Sequence, residues 1–187
     1  MKIKINELCQ MAIMLALLIV CSKISVNIGP IPITLQTFAV IMVGYVLKLK
    51  KGLIVFLAYI LMGLLGIPVF SSGGGFDYIV KPSFGFILGF LLSVFVTGLS
   101  LKSKNNILSY ILGLIQGLLG LLIIDFVGLI YMYIIMNYYL GMDKNVISIL
   151  EAGLFPFLLK DTISVVIAVV IYSRVSNLIF LKAEPIY

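Results

Sequence analysis

The run FLLKDTIS, residues 157–164, sets a carboxylate, Asp161, in an otherwise apolar stretch. A charged side chain at bilayer depth costs about 2.5–3.5 kcal/mol on insertion scales, so it is retained where it has a partner or a function. An ionised aspartate only accepts hydrogen bonds, which suits it to N–H groups of a guest or to a structural cation such as Lys160. Neighbouring residues on a regular helix point about 100° apart, so Lys160 is expected to face away from Asp161. A second acid, Asp125 in LIIDFVGL, has no base beside it in the chain. Protonation, a pair across helices and a place near an aqueous end all stay open for it. Glu151 reads as interfacial.

Two polar stretches offer further contacts. IGPIPITLQTF, residues 28–38, interrupts apolar sequence with Pro30, Pro32, Thr34, Gln36 and Thr37. The prolines stiffen the chain, and the hydroxyls and amide offer hydrogen bonds, in either a pocket lid or a plain surface turn. Gln36 alternatively caps the helix that follows. In GGGFDYIVKPSFG, residues 73–85, the glycines Gly73, Gly74 and Gly75 permit close backbone approach to a ligand or a positive φ, and Asp77 and Tyr78 add polar and aromatic surface. A flexible connector is the alternative. Lys81 in this loop is either a ligand cation or a snorkelling interfacial lysine.

Other chemistries lack their parts. The chain has no histidine, which removes the usual general base and histidine metal ligation. It has no G-x-x-x-x-G-K-[ST] loop to hold ATP. Asp125, Glu151 and Asp161 show no helix-periodic metal spacing and no activated nucleophile, which leaves an intramembrane enzyme acting on a lipid-like substrate poorly equipped. Cys9 and Cys21 are too far apart along one helix to pair, and buried packing is their expected role. The net charge of +6 sits in short clusters between apolar runs, unlike a nucleic-acid-binding face.

The elements that must position these residues follow from composition. Of 187 residues, 63% are hydrophobic and 11% charged, and mean hydropathy is +1.26, which puts the chain in a bilayer. Six apolar segments are expected to span it: Glu7 to Ser25, Leu35 to Leu49, Gly52 to Ile67, Phe84 to Leu101, Ile107 to Met136 and Ile147 to Leu178. The last two exceed one crossing, with Gly128 and Pro156 as expected breakpoints. The first segment lacks a small-residue cleavage site and is expected to stay as a helix. Lys2, Lys4, Lys48, Lys50, Lys51, Lys102, Lys104, Arg174 and Lys182 fall at alternate connections, which predicts both termini in the cytoplasm. The three irregular segments then meet at the outer face and line a cavity, because non-helical backbone at membrane depth needs protein or water around it. The fold class expected is an all-α integral membrane protein, one domain over residues 1–187, built as a compact six-helix bundle with an outer-face pocket. Ala12 and Ala16 form a small-xxx-small pair that allows another helix to approach, internally or from a partner.

IPITLQTF, PVFSSGGG followed by KPSFGFILGF, and GLIYMYI together resemble the BioY family, the biotin-specific substrate-binding subunits of energy-coupling factor (ECF) transporters. The likeness spans nearly the whole chain. It implies a six-helix fold holding one biotin near the outer surface of a bacterial or archaeal cell membrane, under a lid formed by the loop between the first two helices. It further implies a transmembrane coupling subunit and two cytoplasmic ATPases as partners, with Ala12 and Ala16 facing the coupling subunit, and no cofactor. Biotin needs acceptors for its ureido N–H groups, a donor for its carbonyl, apolar walls for its thiophane ring and a cation for its carboxylate. Asp161 matches the family's aspartate at the start of the last helix and is the candidate acceptor for the ureido N–H groups, and Tyr131 in the retained G-L-x-Y portion is a candidate wall.

The chain also departs from the pattern. The commoner P-G-D-x-x-K becomes LKDTIS, with Lys160 in place of glycine and Ser164 in place of the lysine. Serine donates a hydrogen bond but neutralises no carboxylate, so Lys81 is the expected tail partner. P-T-G-G survives in part as Pro82, Ser83, Phe84 and Gly85, which carries over a loop role for Ser83. These departures leave room for another small ring carboxylate, such as lipoate, on the same fold.

Overall fold

The computed structural model describes residues 4–27, 31–99 and 106–181, with no side-chain detail after Arg174. Lys2, Pro30, Lys102, Lys104 and Lys182, named above, lie outside the described residues.

Helix α1, Ile5–Lys23, starts where Glu7 reaches back to the backbone N–H of Lys4 at 3.3 Å, and Lys51 pairs with Glu7 at 2.8 Å. It leads into a small antiparallel hairpin, β1 Ser25–Asn27 with β2 Pro32–Thr34, in which Val26 faces Ile33. Helix α2, Gln36–Leu64, is broken at Lys48, whose φ of 62° and ψ of 177° are non-helical. Its two arms fold back on each other: the Gln36 amide donates to the Tyr59 hydroxyl at 2.8 Å across 23 residues, a separation of more than 30 Å had the helix run straight. These arms are the short second and third apolar segments, reversed at the Lys48–Lys51 cluster.

A 3₁₀ turn, Phe76–Val80, precedes α3, Phe84–Thr97, which packs along α4, Asn106–Ile134. Glycines set this contact. A Cβ on Gly89 would lie 2.8 Å from the Ile124 backbone, and one on Gly85 would lie 2.3 Å from Tyr131. Close backbone approach of this kind replaces the hydrophobic effect as the source of helix association in lipid. A π turn, Ile135–Tyr139, ends α4, after which α5, Val146–Gly153, is capped by Asn145 accepting from the Ser148 N–H at 2.8 Å. Helix α6, Phe155–Leu181, begins after a break at Leu154 and has Pro156 in its first turn, where a missing N–H costs no intrahelical bond.

Among the described residues, three helical stretches are long and apolar enough to cross a membrane, Ile5–Lys23, Ile107–Tyr139 and Phe155–Arg174, with Phe84–Thr97 a shorter apolar helix. Exposed leucines, isoleucines and phenylalanines cover the outside, including Leu122, Phe126 and Leu159, as expected of a lipid-facing surface. At one end of the bundle Leu49 N–H donates to Gly98 at 3.1 Å and Lys48 meets the Tyr172 hydroxyl at 2.9 Å. The hairpin, the 3₁₀ turn and the start of α6 gather at the other.

Two expectations are corrected. Gly128 is no breakpoint: α4 runs through it, and its missing side chain admits the Phe86 ring, 2.5 Å from where a Cβ would sit. The deviation falls at Ile135–Tyr139 instead. Cys9 is exposed on α1 rather than packed inside, and only Cys21 is buried. At position 9 a helix with one core-facing stripe points outward, since the buried residues of α1 are Met11, Leu18, Cys21 and Ser22.

Candidate ligand cavity

Beneath the hairpin lies a cleft open at its mouth. Its lid side is Ile31, Pro32, Thr34, Gln36 and Thr37, and Ser71, Tyr78 and Ser83 come from the loop ahead of α3. Phe86, Ile87 and Phe90 of α3, Ile124 of α4 and Phe157 of α6 form apolar walls. Asp125, Lys160 and Asp161 supply its charges.

The lid is held from behind. Tyr59, bonded to Gln36, donates to the Val69 carbonyl at 3.1 Å, and Ser22 donates to the same oxygen at 2.5 Å. Lys23 reaches the Phe70 carbonyl at 2.6 Å. The end of α1, both arms of α2 and the following loop are thereby tied together at the cavity rim. On the opposite side, the Tyr78 hydroxyl lies 3.1 Å from Ser71 and 3.5 Å from Ser83. Buried hydroxyls and amides bonded in this way are satisfied, which is the condition for keeping them in an apolar scaffold.

Lys160 and Asp161 form an ion pair at the cavity wall, and the Lys160 ammonium also donates to the Thr34 carbonyl at 2.6 Å. The expected 100° divergence is overridden because the four-carbon lysine stem curls back toward its neighbour while the ammonium bridges α6 to the lid. Asp161 is 4% exposed. A lone carboxylate at such a site is costly, and a cation in reach offsets part of that cost and orients the side chain. The Phe86 and Phe157 rings stack at 6.3 Å between centroids, a flat apolar slot beside this charge.

Of the residues singled out in the sequence, Pro32, Thr34, Gln36, Thr37, Tyr78, Ser83, Asp125, Lys160 and Asp161 line the cavity. The others sit outside the lining, each for a local reason. Gly75 has φ of +115° and donates to the Gly63 carbonyl at 2.7 Å, while a side chain on Gly74 would strike the Ile67 carbonyl at 2.3 Å. Their freedom closes the loop against α2 rather than against the cavity. Asp77 is exposed on the 3₁₀ turn. Lys81 donates to the Ser72 carbonyl at 3.4 Å and lies over the Tyr78 ring at 4.8 Å, one ring removed from the cavity. The Tyr131 hydroxyl donates to the Ile79 carbonyl at 2.5 Å, anchoring the loop to α4. Ser164 bonds back to the Lys160 carbonyl at 2.9 Å along its own helix. Phe86, Phe90 and Phe157 went unselected by sequence reasoning; the i, i+4 spacing of the first two and the position of the third one turn before Asp161 were the available signals.

Apolar helices around a part-polar, part-aromatic cavity define a helical membrane protein that holds a small molecule near one end. A family model described as "BioY family" matches residues 1–180, and the chain belongs to the BioY family. It is 36% identical over 174 residues to "Biotin transporter BioY" of Thermotoga maritima, covering 92% of this chain and 97% of that one. It is 35% identical over 175 residues to "Probable biotin transporter BioY" of Pyrococcus horikoshii, covering 93% and 98%. Among solved structures, the S-component for biotin from an ECF-type ABC transporter superposes with a TM-score of 0.76 at 27% identity, covering 94% of this chain and 95% of that one.

Proposed function

We propose that this chain captures biotin and serves as the substrate-binding subunit of an ATP-driven ECF transporter. The observation that carries this reading is the cavity itself: a buried Asp161–Lys160 pair beside stacked Phe86 and Phe157, roofed by the hydrogen-bonding residues of ITLQT, in a member of the BioY family. The names borne by its relatives and by the solved S-component support the same cargo. In this reading Asp161 accepts from the ureido head, the phenylalanines bury the thiophane ring, and Gln36 and Thr34 close over it. Lys160 takes the tail carboxylate in place of Lys81, because its ammonium lines the cavity. The cavity faces the exterior of a bacterial or archaeal cell, the chain crosses the membrane several times and both termini lie in the cytoplasm, in keeping with the basic connections. The protein is a carrier and catalyses no covalent step.

Titration of the detergent-purified protein with biotin, desthiobiotin and lipoate tests this reading. Submicromolar, selective biotin binding is expected; saturation by lipoate with no response to biotin overturns the cargo while leaving the fold. Lipoate is the second reading because Ser164 stands where a lysine is commoner, and serine carries no charge for the tail.

Energy comes from elsewhere, through a coupling subunit and two ATPases. Ala12 and Ala16 are both exposed on one face of α1, a small-residue surface open to a partner helix. Ala12→Leu combined with Ala16→Leu is expected to leave biotin affinity within about twofold, since neither residue lines the cavity, and to abolish co-purification with the coupling subunit, because close helix approach tolerates no large side chain. Retained assembly in the double variant would move the docking surface off this face.

A further inference from the structure

Asp125 has no role in the function above, yet it is 8% exposed and lines the same cavity as Asp161. Among the described residues its carboxylate has no hydrogen bond and no salt bridge, while the charges of Asp161 and Lys160 both reach it. A buried acid facing a cavity with its acceptor capacity unused is suited to donors that a guest brings.

Its position relative to Asp161 follows from the packing of α4 on α6. Gly117 faces Val165 and Gly113 faces Val169, so the two helices run antiparallel in a fixed register. Continued by four residues, that register sets Asp161 level with Leu121, and Asp125 four residues further, about 6 Å, toward the lid. The two carboxylates therefore stand on facing helices, one turn apart, across the cavity. A cyclic urea carries two N–H groups that diverge from its carbonyl; with N···O distances of about 2.9 Å, their acceptors lie roughly 6–8 Å apart. One acid could take one donor, and the pair matches both.

We propose that Asp125 is a ligand-contacting specificity residue, and that it and Asp161 bracket a neutral head group carrying two N–H donors, each carboxylate accepting one. This rests on the biotin reading above and deepens it, since the ureido ring is such a head. Donation to Asp161 also frees Lys160 from holding that oxygen, so its ammonium can turn to the carboxylate at the other end of the guest.

The test compares wild type and Asp125→Asn in detergent by calorimetry, with biotin and with the two isomers of biotin methylated at one ureido nitrogen or the other. Asp125→Asn is expected to weaken biotin about 10–100-fold, the range for a hydrogen bond to a charged group. For the isomer methylated on the nitrogen that faces Asp125, the same substitution is expected to change affinity less than about threefold, because that bond is already absent. The other isomer should lose as much as biotin does. Biotin affinity within twofold of wild type, or equal losses for all three ligands, overturns the proposal. Should Asp125→Asn not fold, wild type alone decides: both isomers must bind at least about tenfold more weakly than biotin, and one that binds like biotin leaves only a single acceptor. Failure of wild type to bind biotin is a separate outcome that removes the function on which the inference rests.

Discussion

Asp161→Asn is expected to raise the Kd for biotin about 100-fold or more. Two effects combine. A hydrogen bond to a charged acceptor contributes about 1.5–3 kcal/mol, and the amide both weakens it and presents an N–H toward the ureido donors. The substitution also strands Lys160, and removing one partner of a buried ion pair costs about 3–5 kcal/mol because the other charge stays behind. Part of that cost falls on the protein without guest, so thermal stability should drop alongside affinity. Asp161→Glu keeps the charge and is expected to recover stability more than affinity, since the longer side chain still reaches Lys160 but crowds the head group. Calorimetry and thermal unfolding check both. An Asp161→Asn protein that binds biotin like wild type would show that the head group lies elsewhere.

Lys160→Ala should have the second largest effect, and its signature is ligand charge. An uncompensated buried carboxylate is expelled or neutralised, so biotin is expected to lose about 100-fold in affinity, within the cost of an unpaired buried charge. Biotin amide, with no tail charge, should lose less than about fivefold, the residue of weaker lid contact once the bond to the Thr34 carbonyl is gone. Lys81→Ala serves as the control. Its ammonium rests over Tyr78 and on the Ser72 carbonyl, outside the lining, and losses within about threefold are expected for both ligands, as for an exposed charge. Equal losses of acid and amide in Lys160→Ala defeat the tail assignment; an acid-selective loss in Lys81→Ala transfers it to the loop.

Legibility from sequence differed from residue to residue for identifiable reasons. Asp161 was conspicuous because a carboxylate within apolar sequence contradicts its surroundings. Asp125 was equally out of place, yet the chain holds no sign of which helix faces it; the glycine contacts of α4 with α6 settle that. For Lys160 the sequence left a pair with Asp161 open, since 100° of helical rotation fixes only Cβ and leaves a flexible stem free to return. Gly74 and Gly75 were rightly singled out as conformationally special, but their partners are the α2 backbone at Gly63 and the Ile67 carbonyl just beyond the helix. Gly128 illustrates the same limit: a glycine in a long helix marks either a bend or a close approach, and only the Phe86 ring distinguishes them.

What the sequence determined by itself is the solvent, the number of apolar segments and the polar stretches that interrupt them, because these depend on composition and period along one chain. The family likeness added the kind of guest. Tertiary structure decided which of the interrupting residues share a cavity. Helix register, the reversal at Lys48 and the glycine-set spacing of α3 and α4 bring residues from positions 31 to 161 within reach of one another. Such proximity arises from interhelical packing, for which no local pattern carries the distances.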